Sequence, residues 1–123
     1  MSPRNGMQDG EASSEGRTVP RTVLVTGGAG VIGFAAAKAL STNRTVVLLD
    51  LGDSVQERAA ELPDGFGVTC DLADAGDLAV AYKSIFDRIG PPGIVIHCAA
   101  IAQVTSFLET DREYFERARA INL

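Results

Sequence analysis

The chain has 123 residues, 46% of them hydrophobic, and carries 11 Lys and Arg against 16 Asp and Glu for a net charge of −5. A chain of this size hides about two thirds of its unfolded surface on folding, enough for one core and one domain. The acidic balance, with no Lys/Arg cluster, argues against nucleic acid or an anionic membrane as partner, and no apolar run approaches the ~18 residues of a membrane span.

Residues 1–19 are rich in Ser, Gly and charge, with too little apolar side chain to offset the entropy of ordering. They are expected to form a disordered leader, and they lack the apolar core of a signal peptide. From Arg21 onward, strand-like and helix-like segments alternate without internal repeat. Thr22–Thr26 reads as a strand, Val31–Leu40 as a helix whose alanines permit close packing, and Thr45–Leu49 as a second strand ending at Asp50. Ser54-Val-Gln-Glu57 has the form of a capping box, opening a short helix that runs to Leu62. Gly67–Cys70 is a third strand. Asp74–Ile89 then sets Leu78, Ala81, Ile85 and Ile89 on one helical face. After Pro91-Pro92-Gly93, Ile94–Cys98 reads as a fourth strand. Thr110-Asp-Arg-Glu113 is a second capping box, leading a helix that carries Phe115, Ala118 and Ile121. The two cysteines, Cys70 and Cys98, sit in apolar strand-like runs, where a reduced thiol behaves as a small hydrophobe. That usage points to a reducing, cytoplasmic setting.

Four β-α units in a row, with strands too apolar for a half-solvated sheet, predict an α/β fold in which helices cover both faces of a parallel sheet. Right-handed crossovers and a strand order of 3-2-1-4 complete the picture of a Rossmann-type doubly wound sheet, its first half (βαβαβαβα), over residues 20–123. The last helix reaches Leu123 without a glycine or proline to end it, so the domain is expected to be truncated at its C-terminus.

Between the first strand and first helix, Gly28-x-Gly30-x-x-Gly33 fits the dinucleotide fingerprint, and Gly27-x-x-Gly30-x-x-Gly33 fits a related spacing at once. The context matches as well. The motif follows a strand, opens a helix, and is followed by an acidic residue, Asp50, at the end of the next strand. A turn bare of side chains lets main chain approach a pyrophosphate, and the helix start at Val31 and Ile32 offers unpaired N–H groups and partial positive charge. Gly33 allows the helix to pack close to the strand. An acidic protein can in this way bind a polyanion without Lys or Arg. The competing reading is a glycine turn with no ligand. Asp50 is expected to accept hydrogen bonds from the adenosine ribose, which favours NAD, because a 2′-phosphate would face a carboxylate with no compensating arginine in the loop. Its alternative is a solvated turn residue.

Thr26-Gly-Gly-Ala-Gly-Val-Ile-Gly33, Asp50 after strand two, Cys70-Asp71-Leu72 after strand three, and His97-Cys-Ala-Ala100 after strand four together resemble the extended short-chain dehydrogenase/reductases, the NAD-dependent epimerase/dehydratase group. The resemblance spans residues 21–123. It implies that Asp71 bonds the adenine amino group while the Leu72 main chain contacts the ring, the alternative for Asp71 being an ordinary strand-end residue. It also implies that Ala99 and Ala100 pass beside the cofactor, although packing alone could ask for residues that small. Asn122 resembles a helix asparagine that supports an active-site water network through its backbone. His97 matches a strand-end histidine with no catalytic role.

One departure stands out. The family's acid/base machinery is a Tyr-x-x-x-Lys pair, in which lysine lowers the tyrosine pKa so that the phenolate can take a proton from a substrate hydroxyl. Here Tyr82 is followed at that spacing by Phe86 and Tyr114 by Ala118, while the lysines are Lys38 and Lys83. No catalytic residue is therefore assigned and no metal site is expected. The function that follows is the NAD-binding part of an epimerase, dehydratase or dehydrogenase that moves hydride on a hydroxylated small-molecule substrate such as a nucleotide sugar, inactive as these residues alone, with homodimerisation possible in the full-length protein. The alternative is a non-catalytic NAD(P)-sensing module on the same fold. Gln103, Thr105 and Ser106 border the substrate region or form a solvated loop; the residues read equally well either way.

Overall fold

The computed structural model describes residues 19–123. Of the disordered leader expected over residues 1–19, all but Val19 lies outside the described residues. β1 (Thr22–Thr26), α1 (Val31–Ala39), β2 (Thr45–Asp50), α2 (Ser54–Ala60), β3 (Gly65–Thr69), α3 (Ala75–Ile89) and β4 (Ile94–His97) alternate along the chain. A 3-10 turn at Phe107–Glu109 and α4 (Arg112–Asn122) follow. The strands form one 4-stranded sheet in the order β3-β2-β1-β4. Every neighbouring pair is parallel, as the alternation of strand and helix dictates for right-handed crossovers.

Alternate residues of each strand leave the sheet on opposite sides, and in β1 and β2 both sides are buried. Val23, Val25, Val46 and Leu48 pack with Phe34 and Ala37 of α1 and with Val55 and Ala59 of α2. Leu24, Val47 and Leu49 pack on the other side with Cys70 and with Ala81 and Ile85 of α3. Burial on two faces is what unbroken Val/Leu runs require, at roughly 1.5–3 kcal/mol for each large side chain removed from water. β4 differs. Its residues are only partly covered, and Val95 is 47% exposed.

Several element ends depart from expectation for identifiable reasons. The third strand starts at Gly65 and pairs Val46↔Gly65 through Asp50↔Thr69, two residues earlier than its apolar run suggests. Two glycines conceal it, each demanded by a neighbour: a Cβ on Gly65 would lie 2.9 Å from the Val46 carbonyl oxygen of β2, and one on Gly67 2.6 Å from the Val55 carbonyl oxygen of α2. The capping box at Ser54 does not form. Asp53 precedes the helix in the αR region with no side-chain cap, and the carbonyls of Gly52 and Asp53 accept from Val55 N–H (3.4 Å) and Gln56 N–H (3.2 Å) instead. The second box is displaced by one residue. Asp111 caps α4 by accepting from Tyr114 N–H at 2.8 Å, while the Thr110 hydroxyl turns back to donate to the Ser106 carbonyl at 3.1 Å.

Candidate functional site

Parallel strands bring all their carboxyl ends to one edge of the sheet, and ligands of open α/β sheets bind beside that edge. A cleft of about 310 Å³ lies there, and its lining includes Gly27, Gly30, Asp50, Asp71, Leu72, Ala99 and Ala100. Seven residues picked from separate stretches of sequence thus share one cavity wall. Val31, Ile32 and Gly33 stand outside it: Val31 and Ile32 are exposed at the first turn of α1 and Gly33 is buried behind it.

The four glycines have different jobs. Gly27 has φ +67°, and a Cβ there would come within 2.7 Å of the Ala99 nitrogen. A Cβ on Gly28 would meet Leu48 at 2.8 Å, and one on Gly33 would collide with the Gly27 carbonyl oxygen. Those three are demanded by the protein's own packing. Gly30 is not. Its φ of −79° and ψ of 173° suit any residue, and the nearest atom to its ideal Cβ is the Gly27 oxygen at 3.5 Å. The space that a side chain at position 30 would fill is open.

Hydrogen bonds sort the amides of the same loop. The N–H groups of Gly27 and Gly28 both donate to the Leu49 carbonyl (2.8 and 3.2 Å), and that of Gly30 to the Gly27 carbonyl (3.2 Å). Ala29 N–H donates to Oδ2 of Asp50 at 2.9 Å. Among the described residues no acceptor takes the N–H groups of Val31, Ile32 or Gly33. The first turn of α1 has neither a side-chain cap nor an acidic residue, so these donors carry the positive end of the helix dipole toward solvent.

Asp50 ties the loop to the end of β2, since its Oδ1 also accepts from Leu51 N–H at 2.8 Å. Each of its oxygens keeps a further lone pair. Asp71 follows β3 and accepts at Oδ1 from Ala73 N–H at 3.0 Å. On the β4 side, Thr26 is 4% exposed. Its Oγ1 accepts from Ala99 N–H at 3.3 Å and lies 3.2 Å from Nδ1 of His97, which gives His97 a structural partner. Asn122 grips the loop after β4, its Oδ1 accepting from Ile101 N–H and its Nδ2 donating to the Ile101 carbonyl, each at 2.9 Å.

Sequence reasoning missed Arg117, Leu51, Ile101 and Ile121, which also line the cleft. Arg117 is a cation where none was expected, and its Nη2 lies 3.6 Å from Oδ1 of Asp71. Cys70 lines the cleft too, almost wholly buried. Burial pushes its thiol up from the usual value, and the carboxylates of Asp77, Asp71 and Asp74 push the same way. A raised acid is neutral in the fold, so the stability tied to this thiol is fully present below its ordinary value of 9.0 and is lost as pH climbs through the higher native one. Among the described residues no group of three or more His, Cys, Asp or Glu could hold a metal ion, and no helix is long and apolar enough to cross a membrane.

Residues 21–123 match the family model described as short chain dehydrogenase. The chain is 31% identical over 106 residues to the 3-oxoacyl-[acyl-carrier-protein] reductase MabA of Mycobacterium bovis, a stretch that covers 85% of this chain and 40% of that protein. The chain therefore spans well under half the length of this curated relative. Its fold is similar to that of L-sorbose reductase from Gluconobacter frateurii, solved with NADPH and L-sorbose, at a TM-score of 0.76 and 19% identity over 83% of this chain and 41% of that one. A short chain dehydrogenase from Mycobacterium smegmatis gives a TM-score of 0.75 at 20% identity over 85% of this chain and 46% of that one. At such identities the likeness of the solved structures is one of fold.

Proposed function

This chain belongs to the short-chain dehydrogenase family, and we propose on that premise that it is the cofactor-binding part of an NAD-dependent oxidoreductase. One observation carries the reading. Gly30 is a glycine that neither its backbone angles nor any neighbouring protein atom requires, beside a cleft at the carboxyl edge of the sheet. A ligand that lies against the main chain there is what would exclude a side chain. The uncapped amides of Val31 and Ile32 would then meet the pyrophosphate, as helix N-termini meet phosphate generally. The spare lone pairs of Asp50 would accept from the ribose hydroxyls, and Asp71 and the Leu72 main chain would hold the adenine. Ala99 and Ala100 would leave room for the remainder of the cofactor. When bound, the nicotinamide ring supplies the hydride acceptor or donor.

MabA and the sorbose enzyme are named as reductases, and this favours a reductase or dehydrogenase of a hydroxyl or carbonyl substrate. The Gly27-x-x-Gly30-x-x-Gly33 spacing is what supports the narrower reading of an epimerase or dehydratase acting on a nucleotide sugar. An NAD(P)-sensing module without catalysis is the second reading, because the same fold hosts both. The full-length protein's substrate pocket, a homodimer and a cytoplasmic location belong to the same proposal. Titration of the intact protein with both cofactors tests it: NAD(H) is expected to bind at least about tenfold tighter than NADP(H), the equivalent of about 1.4 kcal/mol, because a 2′-phosphate would face the Asp50 carboxylate. Equal or tighter NADP(H) binding overturns the assignment of Asp50.

A further inference from the structure

Arg117 enters the cleft from α4, and the structure assigns it a task that rests on the reading above: we propose that Arg117 is a positioning residue that holds Asp71 ready to select an amino-bearing purine. Three observations meet here. Arg117 and Asp71 line the same cleft. Their nearest approach is to one carboxylate oxygen, Oδ1, 3.6 Å from the guanidinium. That same Oδ1 accepts from Ala73 N–H at 3.0 Å, whereas among the described residues no donor reaches Oδ2. One oxygen is thus held from two directions and the other is left as an acceptor.

Both side chains are partly open to solvent, at 43% for Arg117 and 32% for Asp71. An ion pair so exposed adds little to stability, so its worth lies elsewhere. An unheld Asp71 carboxylate could swing about its terminal torsion, which is broad and roughly two-fold. Pinning Oδ1 sets the plane of the group and keeps the lone pairs of Oδ2 in one place. Opposite that acceptor, the exocyclic amino group of adenine donates a hydrogen bond. Hypoxanthine has a carbonyl oxygen at the same position, so lone pairs would oppose a carboxylate. The device therefore recognises an amino group and rejects its oxygen replacement.

The test compares NAD with its deamino analogue, nicotinamide hypoxanthine dinucleotide, by equilibrium titration of the intact protein and of two variants. The parent is expected to prefer NAD by about tenfold or more, the scale of one hydrogen bond to a charged group. Asp71→Ala should bring that ratio to about one. Arg117→Ala should lower it to about threefold or less, through weaker NAD binding, with deamino-NAD affinity little changed. If Asp71→Ala abolishes the preference and Arg117→Ala keeps it, the role given to Arg117 is wrong while the site reading survives. If Arg117→Ala weakens both dinucleotides equally, Arg117 touches the ligand directly and the proposal is overturned. A preference that survives Asp71→Ala overturns amino recognition by Asp71, and a parent that binds neither dinucleotide overturns the site itself.

Discussion

Gly30 and Gly33 stand three residues apart and should respond oppositely to a side chain. At Gly30 the backbone already suits valine and nothing crowds the Cβ position, so Gly30→Val is expected to cost about 1 kcal/mol or less, as a poorer helix cap. Its effect should fall on NAD affinity, which should drop below detection. Gly33→Ala drives a methyl into the Gly27 carbonyl and should cost about 1–3 kcal/mol in a thermal melt, as overpacking does. Normal NAD binding by Gly30→Val would mean that the glycine serves only the turn. The motif was legible in the sequence because its spacing and its place between strand and helix are local facts. Which glycine answers to which neighbour was not, since Ala99 and Leu48 reach the loop only through the fold. Arg117 was invisible for the same reason: nothing in the run Phe115–Ala118 marks a residue that faces the end of β3. Asp50 was read as a ribose ligand, yet it also holds the loop through Ala29. A variant at Asp50 would disturb turn and cofactor choice together, and the two-cofactor titration of the parent is the cleaner measurement.

Among the elements, helix starts show where pattern and geometry part. Two Ser/Thr-x-x-Glu patterns stand at the starts of α-helices, at Ser54 and Thr110, and neither residue caps its helix. A capping side chain needs an extended residue ahead of a free first turn. Asp111 meets that condition with φ −91° and ψ 168°, whereas Asp53 lies in the αR region and the preceding turn runs straight into α2. Asp111→Ala should therefore cost about 1 kcal/mol, and Ser54→Ala less than about 0.5 kcal/mol, as read from chemical denaturation midpoints. Equal costs would return the cap to the box motif. Asp74, capping α3 through Asp77 N–H at 3.0 Å, shows the aspartate solution a second time. Strand existence was readable from apolar runs, while the start of β3 was hidden by glycines that β2 and α2 require.

For the molecule as a whole, the order β3-β2-β1-β4 follows from chirality and from strands that are apolar on both sides. The sequence could not convey how unevenly those strands are covered. β1 and β2 are enclosed by three helices, whereas α4 has no buried residue and an apolar groove of about 620 Å³ lies beside it over Leu24 and Val95. β4 also pairs with β1 from far along the chain, Val23 meeting Ile94 and Thr26 meeting His97, whereas β2 and β3 join through short β-α-β units. Long closures come late in folding. Ala99, Ala100 and the Gly27 contact with Ala99 all depend on β4 being in place, so one wall of the cleft is made of the strand expected to leave first. Hydrogen exchange should find the amides of Ile96 and Cys98 opening well before those of Val46 and Val47, and NAD should slow the first pair more than the second. In that event the ligand acts as the clasp of the fold: the nucleotide would be sensed as a change in how often the fourth strand lets go, and not only as occupancy of a cavity.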